Sequence, residues 1–73
     1  MRRFSRGVYA QVTLKEDISI SHSFYDSESV YDCLIDLFPH EIAVEAEAWT
    51  ELACVGEFYE NDDFKIEMME ELK

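Results

Sequence analysis

The sequence predicts a small α+β domain: a three-stranded antiparallel sheet of order ββααβ, with two helices packed on one face. Three observations predict it. Two early runs, VYAQVTL and ISISHSFY, alternate apolar and polar residues; the middle of the chain, from Ser27 to Val55, repeats at helical spacing; and FKIEM, near the end, alternates again. Period two marks a half-buried strand and a period near 3.6 marks an amphipathic helix. The 73 residues leave room for one domain, residues 1–73.

The first run sets Val8, Ala10, Val12 and Leu14 on one side of a strand and Tyr9, Gln11 and Thr13 on the other. The second sets Ile18, Ile20, His22 and Phe24 opposite Ser19, Ser21, Ser23 and Tyr25. Lys15-Glu16-Asp17 between them has the length and polarity of a hairpin turn. After Tyr25 the period changes. Asp26 or Ser27 offers a side-chain oxygen to the free amides of a helix start. A first helix over about 27–38 then buries Val30, Leu34, Leu37 and Phe38, and carries Glu28, Asp32 and Asp36 on another face. It stops before Pro39, which disfavours a helical residue ahead of it. A second helix over about 41–55 turns Ile42, Ala46, Trp49 and Ala53 inward and Glu41, Glu45, Glu47 and Glu51 outward, and Gly56 suits the left-handed residue that follows many helices. Residues 56–63 read as a loop, and Phe64, Ile66 and Met68 as the inner side of the last strand.

Charge is distributed unevenly. Residues 1–15 hold Arg2, Arg3, Arg6 and Lys15 and no acid, whereas residues 16–73 hold all 17 acids against Lys65 and Lys73, so the whole carries −11. From Glu16 to Phe64 there are 14 acids and no Lys or Arg. Such self-repulsion opposes the compact state, and solubility asks for a magnitude of only about 2 to 8. The same charge argues against direct binding of nucleic acid, because phosphate is repelled. No run reaches the ~18 apolar residues of a membrane span, and VYAQVTLK is too short and polar for a secretory signal. Two separate cysteines, Cys33 and Cys54, form no disulfide framework and suit a reduced, cytoplasmic chain whose thiols fill the core.

Cofactor and catalytic signatures are missing from the residue pattern. His22, His40, Cys33 and Cys54 lack the paired spacing of a zinc site, and Glu60, Asp62 and Asp63 lack the glycine turn and terminal bidentate Glu of a calcium loop. On a strand, His22 points away from Ser21 and Ser23, so no nucleophile–base pair forms. The sequence thus leads to expectations of no metal, no cofactor and no enzyme.

The acids themselves are the candidate site. The stretch GEFYENDDFKIEMMEE holds seven acids threaded among Phe58, Tyr59, Phe64, Ile66, Met68 and Met69. Its apolar residues would hold a turn and a strand to the core while Glu57, Glu60, Asp62 and Asp63 line the outside. Glu28, Asp32 and Asp36, one helical turn apart, make a row of charges about 6 Å apart, in the manner of a nucleic-acid backbone. Like charges at i,i+4 weaken a helix by a few tenths of a kcal/mol per pair, so the row costs stability. Glu45, Glu47 and Glu51 add a third group. In size, charge and plan, and in the run EFYENDD leading into FKIEMM, the chain resembles the small acidic inhibitors that bacteriophages encode against CRISPR nucleases and restriction enzymes. The resemblance assigns no residue a role. It implies a DNA-mimicking inhibitor in the bacterial cytoplasm, bound to the basic DNA-reading cleft of a CRISPR effector or related nuclease. A second reading stays open: an antitoxin-like or adaptor module, homodimeric or not, that binds through Val44, Ala48 and Val55 between the acids of the second helix.

Overall fold

A computed structural model describes residues 4–71. The elements follow the order β1 (Val8–Leu14), β2 (Ser21–Phe24), α1 (Ser27–Ile35), α2 (His40–Leu52), β3 (Phe58–Glu60) and β4 (Phe64–Glu70). The α+β class with two helices is as expected. The sheet, however, has four strands rather than three, in the order β2-β1-β4-β3, with every pair antiparallel. β1 and β4 are central and pair along their full length, from Val8 opposite Glu70 to Leu14 opposite Phe64. Both helices lie on the face that carries Ala10, Val12, Phe64, Ile66 and Met68, and the core closes there with Val30 and Leu34 of α1 and Ala43 and Ala46 of α2. The thinnest dimension, 17 Å, is that of two layers.

Each helix begins and ends for a local reason. Asp26 is extended and its carboxylate accepts the Ser29 amide at 2.6 Å, which caps α1. α1 closes earlier than 38: the amides of Leu37 and Phe38 both return to the Leu34 carbonyl, and the chain leaves the helix toward Pro39. Leu37 is therefore 55% exposed, a correction to its place on the inner face, while Leu34 is fully buried. α2 stops at Leu52, because Ala53 is extended at ψ 150°. Its buried positions are Ala43, Ala46 and Thr50, so the inner stripe is rotated slightly from the expected one; Ile42, Trp49 and Ala53 pack half-buried at its margin.

The fourth strand arises in residues 56–60, expected as loop, after a turn at 54–57 whose first two residues were expected as helix. The Glu57 amide bonds to the Cys54 carbonyl at 3.0 Å, closing a turn in which Gly56 takes φ +97°, a conformation that side chains resist. Gly56 and Glu57 then exchange backbone hydrogen bonds with Met68 at 2.9 and 3.0 Å, and β3 follows along β4. Gly56 thus serves the turn that leads into β3 rather than a helix end. Cys54 is exposed and Cys33 half-buried, so neither thiol belongs to the fully buried core. Ile18 and Ile20, expected inward, are 77% and 49% exposed because β1 turns away at Lys15 and leaves them without a neighbouring strand. His22 lies on the inner side, opposite Val12, yet is exposed at the sheet margin.

Candidate protein-interaction surface

The interleaving of acids and aromatics in residues 56–71 resolves into two sides of a hairpin. Tyr59, Phe64, Ile66 and Met68 face the helices, and an aromatic series, Trp49–Tyr59–Phe64–Phe38, runs through this layer with ring centroids 5.7, 6.0 and 5.2 Å apart. It ties β3 and β4 to α2 and to the end of α1. Phe58 instead faces the open side of the sheet, 57% exposed, beneath the Lys65 ammonium at 4.9 Å. Glu67, on the same side, lies 3.9 Å from Lys65.

The ten candidate acids divide by what they touch. Four are engaged within the fold. Glu60 pairs with Lys15 at 2.8 Å, and that ammonium holds the Glu60 carboxyl below its ordinary value. Glu57 accepts the Cys54 amide at 2.8 Å and braces the turn before β3. Glu45 accepts the Tyr59 hydroxyl at 2.8 Å; burial first, and this bond second, raise the Tyr59 phenol. Glu51 accepts the buried Ser27 hydroxyl at 3.2 Å, joining α2 to the start of α1. The other six, Glu28, Asp32, Asp36, Glu47, Asp62 and Asp63, have no side-chain hydrogen bond or ion pair among the described residues. Glu47 is half-buried and the other five are exposed.

The segment after α1 and the turn between β3 and β4 meet at one groove. The row Glu28–Asp32–Asp36 descends α1 and reaches Leu37. A groove of about 480 Å³ there is lined by Leu14, Leu37 and Phe38 on its apolar side and by Lys15, Glu16, Asp62 and Asp63 on its charged side. Asn61 shapes the charged side: its side-chain oxygen accepts the amides of Asp63 and Phe64 at 2.7 and 2.9 Å, fixing the tight turn between β3 and β4. Sequence reasoning missed Leu37 as a surface residue and Asn61 as the organiser of the turn. An Asn two residues before the amide it bonds was the available signal.

Basic groups do not share this surface evenly. Lys65 lies with Phe58 and Glu67 on the open side of the sheet, Arg6 is exposed with no ion pair among the described residues, and Arg2 and Arg3 lie outside them. The helices bear Glu28, Asp32, Glu41, Glu45, Glu47 and Glu51 and no Lys or Arg. One edge of α2 is apolar: Val44, Ala48 and Leu52 are four residues apart and exposed, Leu52 at 86%, with exposed Val55 following. Among the described residues no three His, Cys, Asp or Glu side chains gather as a metal centre requires, and no helix is long and apolar enough to cross a membrane. No family model matches the chain, and neither the curated proteins nor the solved structures contain a detectable match.

Proposed function

We propose that the chain is a non-enzymatic inhibitor that occupies the basic DNA-binding cleft of a bacterial defence nuclease, a CRISPR effector or a related enzyme, and sets carboxylates where that enzyme receives phosphates. The observation that carries the reading is the unequal use of the acids. Carboxylates that serve the fold have partners, whereas Glu28, Asp32, Asp36, Asp62 and Asp63 are exposed without one among the described residues, and Asp62 and Asp63 line a groove with Leu37, the residue after Asp36. Unpaired like charges weaken the folded state, so a surface that keeps them gives up stability. A basic partner would recover that energy and would be steered to the site from a distance. Leu37, exposed between the row and the Asp62–Asp63 turn, supplies an apolar anchor beside the charge.

The test is competition for DNA. The parent protein is titrated into nuclease–DNA complexes drawn from several CRISPR effectors and restriction enzymes, at low and raised salt. Asp62→Lys with Asp63→Lys, and separately the triple reversal of Glu28, Asp32 and Asp36, should each abolish displacement of DNA without loss of helical signal. Undiminished displacement by both sets would overturn the reading.

The bare edge of α2 favours a second reading. Val44, Ala48 and Leu52 form a narrow apolar stripe flanked by Glu41, Glu45 and Glu51, the pattern with which one helix receives another. An adaptor or antitoxin-like module would bind through that stripe. Its binding would resist salt and would be lost in Leu52→Lys, whereas the inhibitor reading predicts the reverse on both counts.

A further inference from the structure

We infer that the chain forms a two-fold symmetric dimer through the outer edge of β2, which joins two sheets into one. This inference is independent of the inhibitor reading. β2 is an edge strand, hydrogen-bonded to β1 on one side, with no strand beside Ser21–Phe24 on the other among the described residues; just beyond it the Phe4 amide bonds to the Tyr25 carbonyl at 3.2 Å. Edge strands are ordinarily guarded by a charge, a proline or a bulge that prevents a second strand from adding. Residues 18–25, ISISHSFY, contain no Asp, Glu, Lys, Arg or Pro, although acids stand directly before and after them at Asp17 and Asp26. In a chain of net charge −11 this is a neutral strip on the surface, and Ile18, Ile20, Ser21, His22 and Ser23 are all exposed along it.

The occupant that fits is a second copy, because the strip is complementary to itself. Within β2, His22 and Phe24 lie on one face and Ser21 and Ser23 on the other, while Ile18 and Ser19 stand in the turn before it. A two-fold axis perpendicular to the sheet keeps each face on its own side. An antiparallel copy then opposes serine to serine and apolar or imidazole groups to one another. The register centred on His22 opposes Ile20 to Phe24 and Ser21 to Ser23, both favourable cross-strand pairs. On the helices two copies repel: α1 and α2 present acids without a Lys or Arg, so a helix-to-helix dimer would set like charges together. Pairing through β2 sets the neutral strips in contact. It also satisfies the open backbone groups of the edge and gives Ile20 an apolar neighbour. The turn before the strand persists, since Asp17 holds the Ser19 amide and hydroxyl at 3.2 and 2.6 Å and its carbonyl accepts the Ile20 amide at 3.2 Å, so the chain extends from Ser21.

Sedimentation of the whole chain, from micromolar to near-millimolar concentration and at raised salt to screen the net charge, should show a species of twice the 8.6 kDa chain mass. Ile20→Lys and, separately, Ser21→Lys place a guard on the edge at exposed positions. Both should sediment as monomers with an unchanged circular dichroism spectrum, while Leu52→Lys should remain dimeric. Amide exchange at residues 20–24 should slow as the parent is concentrated. A parent that stays monomeric throughout, including one whose β2 accepts only a foreign strand, overturns the inference. So does a dimer that survives both edge variants, one that is lost in Leu52→Lys, or exchange in β2 that does not depend on concentration.

Discussion

Leu34 and Leu37 stand three residues apart, and helical spacing places both on the inner face of one helix. They should respond very differently to truncation. Leu34 is fully buried between α2 and the sheet, so Leu34→Ala removes three carbons from the core, about 2.4 kcal/mol at ~0.8 kcal/mol per buried methylene. The cavity left behind brings the cost to about 3–5 kcal/mol, because its walls close only in part. Leu37 lies beyond the last helical turn, 55% exposed at the rim of an open groove, so Leu37→Ala forfeits at most about 1 kcal/mol of burial and leaves no cavity. At about 0.05–0.15 kcal/mol per residue, a domain of this length holds roughly 4–11 kcal/mol in all. The first substitution thus takes a large share of the total and the second a minor one. Urea unfolding followed by circular dichroism measures both; at 4–8 °C per kcal/mol, Leu34→Ala should also melt at least about 10 °C below Leu37→Ala. Equal losses, or a loss below about 1 kcal/mol for Leu34→Ala, would refute the termination of α1 before Leu37 and the packing derived from it.

Three further outcomes follow from local geometry. Asp26→Ala removes the carboxylate that caps α1 and should cost about 1 kcal/mol in the same unfolding assay, with Asp26→Ser recovering most of it. Gly56→Ala forces a side chain into φ +97° and should cost about 1–2 kcal/mol although no atom stands within 4 Å of the added carbon, so the loss is conformational rather than steric. Lys15→Gln removes the ammonium that lowers the Glu60 pKa in the folded state. A carboxylate with a lowered folded pKa stabilises fully above its ordinary value, near 4.5, and loses that contribution as pH falls through the folded one. Parent and variant should therefore differ slightly at neutral pH and converge as the pH falls below the ordinary carboxylate value and through the lowered one, as thermal melts across the acid range will show.

Five of the six elements were legible in the sequence, β2 only over the second half of its run, and the misreadings have separate physical causes. β1 and β4 are long, central and buried on one face, so their alternation is complete. α1 and α2 show their period because each lays one stripe on the sheet. β3 was hidden: Phe58-Tyr59-Glu60 is too short for alternation to register, and its pairing depends on the Gly56 turn and on β4. Ile18 and Ile20 carry a strand pattern with no neighbour alongside, since strandedness requires a partner that the pattern does not supply. Leu37 keeps the helical period after the helix has ended, because the double return of Leu37 and Phe38 amides to Leu34 is set by the approach to Pro39. The acidic surface was legible as composition but not as a site. Which carboxylates are engaged depends on tertiary partners, Lys15, Tyr59, Ser27 and the Cys54 amide, and three of these lie outside any local pattern that names Glu60, Glu45 or Glu51.

The central claim is that the unengaged acids make the contact while the engaged ones make the fold. The most direct measurement is the association rate with a nuclease that the parent displaces from DNA, recorded as a function of salt. The parent is compared with a chain in which Glu28, Asp32, Asp36, Asp62 and Asp63 are changed to their amides, and with one in which Glu45 and Glu57 are changed likewise. The account predicts a steep fall of the parent's rate with salt, a slow and nearly salt-independent rate for the five-amide chain, and parent-like association but lower unfolding stability for the Glu45 and Glu57 variant. A five-amide chain that associates as fast as the parent, with the same dependence on salt, would contradict it.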